Sequence, residues 1–237
     1  TREVFCRPCS QAQCRFGPVD CLRLIQPQDV IKKAGELLEG KQSVRQGALA
    51  DFKRILLVRT DRLGDVVLST PAMRAMRDAY PNAYIAMMVG PEAVDAVRGN
   101  PAIDEVIALD KDAKHRGIKG ALRMARFLRQ RKFDLALVLH PTNRIHLLTF
   151  LAGIPRRVGY NRKSGFLLTE KIAHRKQLGE KHEMEYTLDL VRQIGVVPQE
   201  TAVYIPISPE SAEWVKGFLE KERVNPRDRL LAIHPGA

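Results

Sequence analysis

The 237-residue chain is 45% hydrophobic, 28% charged and only 6% aromatic, a globular composition that excludes disorder, collagen-like repeats and disulfide-rich miniproteins. Thirty-nine Lys and Arg against 27 Asp and Glu leave a net charge of +12. Phosphorylated sugars, nucleotides, nucleic acid and an acidic membrane face are therefore the eligible partners. The longest nearly unbroken apolar stretch, 147–154, falls far short of the ~20 residues that span a bilayer. Arg and Cys recur through the first thirty residues, which is not a secretory-signal pattern, so the expected location is cytoplasmic.

All four cysteines, Cys6, Cys9, Cys14 and Cys21, sit in the first 21 residues. An amphipathic helix is expected over 27–38, with Val30, Ala34, Leu37 and Leu38 on one face. Residues 41–52 are polar and unpatterned and read as a linker between a segment 1–40 and a domain 53–226. Strands are predicted at 55–58, 84–89, 106–109, 135–139, 157–160 and 230–233, the last opening a further domain at 227. Between them fall helices at 71–80 (Thr70 as N-cap), 118–132, 143–151, 182–194 (closed by Gly195) and 210–222 (capped by Ser208). In the second of these, Ile118, Leu122, Ala125 and Leu128 mark the apolar face, with Lys119, Arg123 and Arg126 opposite. Apolar strands separated by amphipathic helices specify an α/β fold, a Rossmann-like doubly wound parallel sheet. Ligands bind such sheets at the carboxyl ends of the strands.

The sharpest chemical signal is the turn after the first strand, Arg59-Thr60-Asp61-Arg62-Leu63-Gly64-Asp65. Gly64 lets backbone turn tightly and approach a ligand. Asp65 is placed either to take a proton from a hydroxyl in the cleft or to cap the following helix, and spacing alone leaves both open. Asp61 reads as a turn residue. His140 and His182 are candidate polar cleft residues. The chain has no G-x-G-x-x-G after its first strand, no P-loop, no H-E-x-x-H and no G-x-S-x-G, so the common nucleotide, zinc-protease and serine-hydrolase fingerprints are missing.

The stretch 54–72, RILLVRTDRLGDVVLSTPA, resembles the amino-terminal signature of the lipopolysaccharide heptosyltransferases, glycosyltransferase family 9. Three further stretches agree in order and spacing: 100–106 (NPAIDEV), 150–160 (FLAGIPRRVGY) and 181–183 (KHE). The end of the chain, 233–237 (IHPGA), is similar to the opening of the family's second domain. The resemblance covers 53–237 and implies the acceptor domain of a GT-B enzyme that transfers a heptose from an ADP-sugar to the lipopolysaccharide inner core. It implies inversion at the anomeric carbon and no cofactor or metal. It places the general base at Asp65. Substrate-binding candidates are Thr60, Arg62 and Gly64 in the first turn, Arg156 and Arg157 at the expected cleft edge, and His182; Gly236 is the candidate for donor phosphate. The implied partners are the core acceptor, the nucleotide sugar and the anionic inner face of the inner membrane, with no nucleic acid.

The cysteine spacing also suits tetrahedral zinc, so a zinc-dependent nucleic-acid module through Cys6, Cys9, Cys14 and Cys21 is one rival function. A catalytically idle Rossmann-like module binding sugar or phosphate is another. Eight Lys and Arg against five Asp and Glu in residues 1–50 make only a modest basic excess for a nucleic-acid face. Residues 1–40 instead resemble the carboxyl-terminal tail of the same heptosyltransferase family, here preceding an acceptor domain. A tandem junction, a circular arrangement and a fused gene model all fit that order. Thr1 in place of Met, and an apolar run followed at once by the last residues, lead us to expect a piece of a longer enzyme that is inactive alone.

Overall fold

A computed structural model describes residues 26–28, 30–31, 50–225, 228–231 and 233. Cys6, Cys9, Cys14, Cys21, Gly236 and most of the predicted helix 27–38 lie outside these residues. The chain divides into two compact units, 1–49 and 50–237. In the first, residues 27, 28, 30 and 31 are helical, with Val30 and Ile31 exposed.

The second unit is built on one sheet of six parallel strands: β1 (Arg54–Val58), β2 (Tyr84–Val89), β3 (Glu105–Ala108), β4 (Leu135–Val138), β5 (Arg156–Tyr160) and β6 (Glu170–Ile172). Their spatial order is β3-β2-β1-β4-β5-β6, the doubly wound arrangement whose direction reverses between β1 and β4. Both faces of β1 and β4 are covered, which is why Ile55 to Val58 and Leu135 to Val138 are uninterrupted apolar runs with no exposed surface. Alternate side chains feed two cores. Ile55, Leu57, Leu135 and Leu137 pack with α2 (Thr70–Ala79) and α6 (Glu183–Gln193). Leu56, Val58, Ala136 and Val138 pack with α4 (Gly117–Gln130) and α5 (Asn143–Leu151). Short helices α1 (Leu63–Val67) and α3 (Val94–Val97) and an outlying α7 (Pro209–Lys221) complete the unit.

Several expectations need correction. Ser69, not Thr70, is the N-cap of α2; Thr70 is its first residue, and its hydroxyl donates to the Val67 carbonyl at 2.7 Å. The buried face of α4 is Gly120, Met124, Ala125 and Leu128, whereas Ile118 and Leu122 are 81% and 53% exposed. Leu230, Leu231 and Ile233 form no strand and are exposed, because no neighbouring strand among the described residues pairs with their backbone. Phe52, in the expected linker, is buried in the first core. Two features stand as expected: Gly195 has a left-handed φ of +90° just after α6, and the Ser208 side chain accepts from Ser211 N–H at the start of α7. No described helix is long and apolar enough to cross a membrane.

Candidate functional site

The reversal of strand order leaves a crevice outside the carboxyl ends of β1 and β4. A cavity of about 1040 Å³ opens there. β1 and α1 supply Arg59, Asp61 and Asp65; the segment after β4 supplies His140, Thr142 and Asn143; that after β5 supplies Arg162 and Lys163; and His174, Lys176 and Glu183 close it.

Its centre is Arg59, only 1% exposed. Its N–H donates to the Met88 carbonyl at 2.9 Å, so the β1–β2 ladder fixes the backbone from which the guanidinium reaches. Arg59 Nε and Nη2 donate to the two oxygens of Asp61 at 2.8 and 3.0 Å. Nη2 also donates to Glu183 Oε1 at 2.8 Å and lies 3.3 Å from Asp65 Oδ1, while Nη1 donates to the Thr187 hydroxyl at 3.2 Å. Burial opposes the charge of Arg59, but Asp61 and Glu183 more than offset that and raise its pKa. Asp61 also meets His140 Nδ1 at 2.8 Å, and Glu183 pairs with Lys176.

The three carboxylates respond differently. Burial alone would raise the Asp61 carboxyl, but hydrogen bonds from His140 and Arg59 bring it down to about 2. Glu183 is likewise lowered against its burial, by Lys176 and Arg59. Asp65 is raised, first by burial and then by the charges of Asp61 and Glu183, against the pull of Arg59 and Lys176. Asp65 is thus the stronger base of the group, with a side chain 29% exposed at the cavity wall.

These shifts have opposite stability consequences. Asp61, lowered from 3.8 to about 2, stabilises the fold above the unfolded value and loses that contribution as pH falls through its folded one. The difference corresponds to about 2 kcal/mol. Asp65, with its raised pKa, costs stability once ionised. Urea unfolding between pH 5 and pH 2 should therefore show the gap between the wild type and Asp61→Asn narrowing as the medium becomes more acidic. A gap of constant size would remove the ionised Asp61 as its source.

Of the residues expected from sequence, the cavity gathers Asp65 and His140. Gly64 is exposed in α1 without a left-handed φ, and an added Cβ would meet nothing within 4 Å, so the turn itself does not require glycine. Thr60 is half-buried at the end of β1, and Arg62 is exposed at the N-cap position of α1; neither lines the cavity. Arg156 and Arg157 begin β5, and residues 161–163 beyond its other end are the ones that line the cavity, so strand direction carries the two arginines away from it. Arg156 pairs with Glu170, with Nη2 to Oε2 at 3.1 Å, and Arg157 Nε donates to the Leu167 carbonyl at 2.9 Å. His182 caps α6 from outside, its Nδ1 accepting from Met184 N–H at 3.4 Å. Asp61, read as a turn residue, instead ties β1 to the segment after β4. Arg59, Lys176 and Glu183 were not singled out as site residues. The signal that could have found Arg59 is a charge directly continuing a wholly apolar strand.

The parallel sheet and its flanking helices match the Rossmann-like domain of GT-B-type structures. The glycosyl transferase family 9 structure from Veillonella parvula superposes with a TM-score of 0.67 at 25% identity, over 77% of this chain and 55% of that one. The Escherichia coli ADP-heptose lipopolysaccharide heptosyltransferase II structure gives 0.54 at 19% identity, over 73% and 51%. A sequence profile described as "Glycosyltransferase family 9 (heptosyltransferase)" matches residues 121–237. Lipopolysaccharide heptosyltransferase 3 of Escherichia coli (strain K12) is 23% identical over 184 residues, 73% of this chain and 51% of the relative. A putative glycosyltransferase of Haemophilus influenzae is 24% identical over 180 residues, 76% and 51%. Residues 121–237 thus carry the glycosyltransferase family 9 profile, and the chain is similar to heptosyltransferases of that family over about three quarters of its length. It spans about half the length of the curated relatives it matches.

Proposed function

We propose that the 50–237 unit is the acceptor half of an enzyme that transfers a heptose-type sugar from an ADP-sugar to the inner core of lipopolysaccharide, at the cytoplasmic side of the membrane. The observation that carries this is Asp65: a half-buried carboxylate of raised pKa at the wall of a large cavity, beside a cationic side formed by Arg162, Lys163 and Lys176. Asp65 takes the proton of an acceptor hydroxyl as that oxygen attacks the anomeric carbon. The bond from that carbon to phosphate breaks, the electron pair leaves with ADP, and attack from the opposite face inverts the configuration.

The proposed reaction is metal-independent. Asp61 is committed to Arg59 and His140, and Glu183 to Arg59 and Lys176. Asp65 remains as the carboxylate least engaged, so Asp61, Glu183 and Asp65 together offer a cation one lightly engaged carboxylate and form no all-protein cage for it. The test supplies a donor domain, ADP-heptose and inner-core acceptor, then reads the anomeric configuration of the product by NMR with and without EDTA. Transfer with inversion that persists under chelation is expected. Retained configuration would overturn the displacement scheme, and abolition by EDTA its metal independence.

A further inference from the structure

The cavity holds a second acid–base side chain that the scheme above leaves idle. His140, about one-third exposed, lies just beyond β4 and lines the same wall as Asp61 and Asp65. Its Nδ1 is 2.8 Å from Asp61 Oδ2. Asp61 is simultaneously gripped through both oxygens by Arg59 and stays ionised down to about 2. An ionised carboxylate can only accept, so the proton between the two groups belongs to Nδ1. A neutral imidazole protonated there carries its lone pair on Nε2, and that nitrogen makes no hydrogen bond to a described residue.

We infer that His140 is a substrate-binding residue whose Nε2 accepts a hydrogen bond from a sugar hydroxyl, with Asp61 setting the tautomer that makes this nitrogen an acceptor. The inference rests on the reading that a saccharide occupies the cavity, and it adds to it a second point of recognition. Asp65 takes the hydroxyl that reacts, and His140 holds a neighbouring one. The ligand class at His140 is thus a neutral hydroxyl donor. Anionic substituents face Arg162 and Lys163, which lie in the segment after β5.

Asp61→Asn gives the proposal its sharpest consequence. The Asn side chain presents both a carbonyl and an amide donor. Donation from that amide to Nδ1 moves the imidazole proton to Nε2, which then no longer accepts. Ring and position are unchanged, but the polarity of the hydrogen bond is reversed.

The experiment is long-range 1H–15N NMR of the histidine rings in the whole chain at neutral pH, titrated with deacylated inner-core oligosaccharide. The free chain should show His140 protonated at Nδ1 and bare at Nε2, and the Nε2 resonance should move as the oligosaccharide saturates. Binding should weaken about tenfold in His140→Phe, the loss of one net hydrogen bond. Asp61→Asn should weaken it by a similar factor while carrying the proton on Nε2. Unchanged backbone spectra establish that each variant is folded. A wild-type ring protonated at Nε2, an Nε2 resonance indifferent to bound oligosaccharide, or full affinity in His140→Phe overturns the assignment of His140 alone. Failure of the wild type to bind the oligosaccharide overturns the acceptor-half reading and this inference with it.

Discussion

Replacing Asp65 with Asn, in a polypeptide that also supplies a donor domain, is expected to slow transfer by about 10²–10⁴-fold, the usual loss when a general base is removed. The same substitution should leave the fold at least as stable as the wild type at neutral pH. Burial and the charges of Asp61 and Glu183 hold the Asp65 carboxyl above its ordinary value, so the ionised side chain opposes folding there, and a neutral amide of the same shape removes that opposition. A residue whose business was helix capping would behave the other way, costing stability on replacement and little rate. Turnover numbers and urea midpoints for the pair thus separate the two roles that spacing alone left open. An unchanged rate would remove Asp65 from the reaction, whatever the stability did.

How far the sequence could reach is set by which interactions are local. β1 and β4 were legible because strands covered on both faces must be apolar throughout. β6 was not: three residues, Glu170–Ile172, at the edge of the sheet carry no such pattern. On α4, hydrophobic spacing pointed to Ile118 and Leu122, yet the helix approaches its surroundings through Gly120. A Cβ there would lie 2.3 Å from the backbone carbonyl carbon of His115, so contact on that face is won by the absence of a side chain, which no hydrophobicity count registers. The site divides the same way. Asp65 is announced by its own turn, within a few residues of the strand end. Arg59 and Glu183 are 124 residues apart and meet only because α6 packs beside β1. Arg156 and Arg157 were misplaced because a basic pair looks the same at either end of a strand, and only the direction of β5 decides which end faces the ligand.

The largest structural effect should come from Arg59. Removing one partner of a buried ion pair costs about 3–5 kcal/mol, because the other charge is left without compensation. Arg59 is 1% exposed and serves Asp61, Glu183 and Asp65, whose side chains keep 15%, 27% and 29% of their surface in solvent. That residual hydration places Arg59→Met at the lower end, at about 3 kcal/mol by denaturant unfolding. Arg59→Lys restores the charge but not the planar fork that bonds Asp61 through both oxygens, so its stability should fall between wild type and Arg59→Met. The electrostatic consequence runs through the base. The Arg59 charge lowers the Asp65 pKa, so weakening it lets Asp65 rise further, and a higher pH is needed to ionise the carboxylate. The acidic limb of the rate profile should therefore move to higher pH in Arg59→Lys, in addition to any fall in the plateau. A packing role alone would lower the plateau and leave the limb in place. A limb that stays put in a folded, active Arg59→Lys enzyme would mean that Asp65 does not titrate under the control of Arg59, and the chemistry at the head of β1 would need another base.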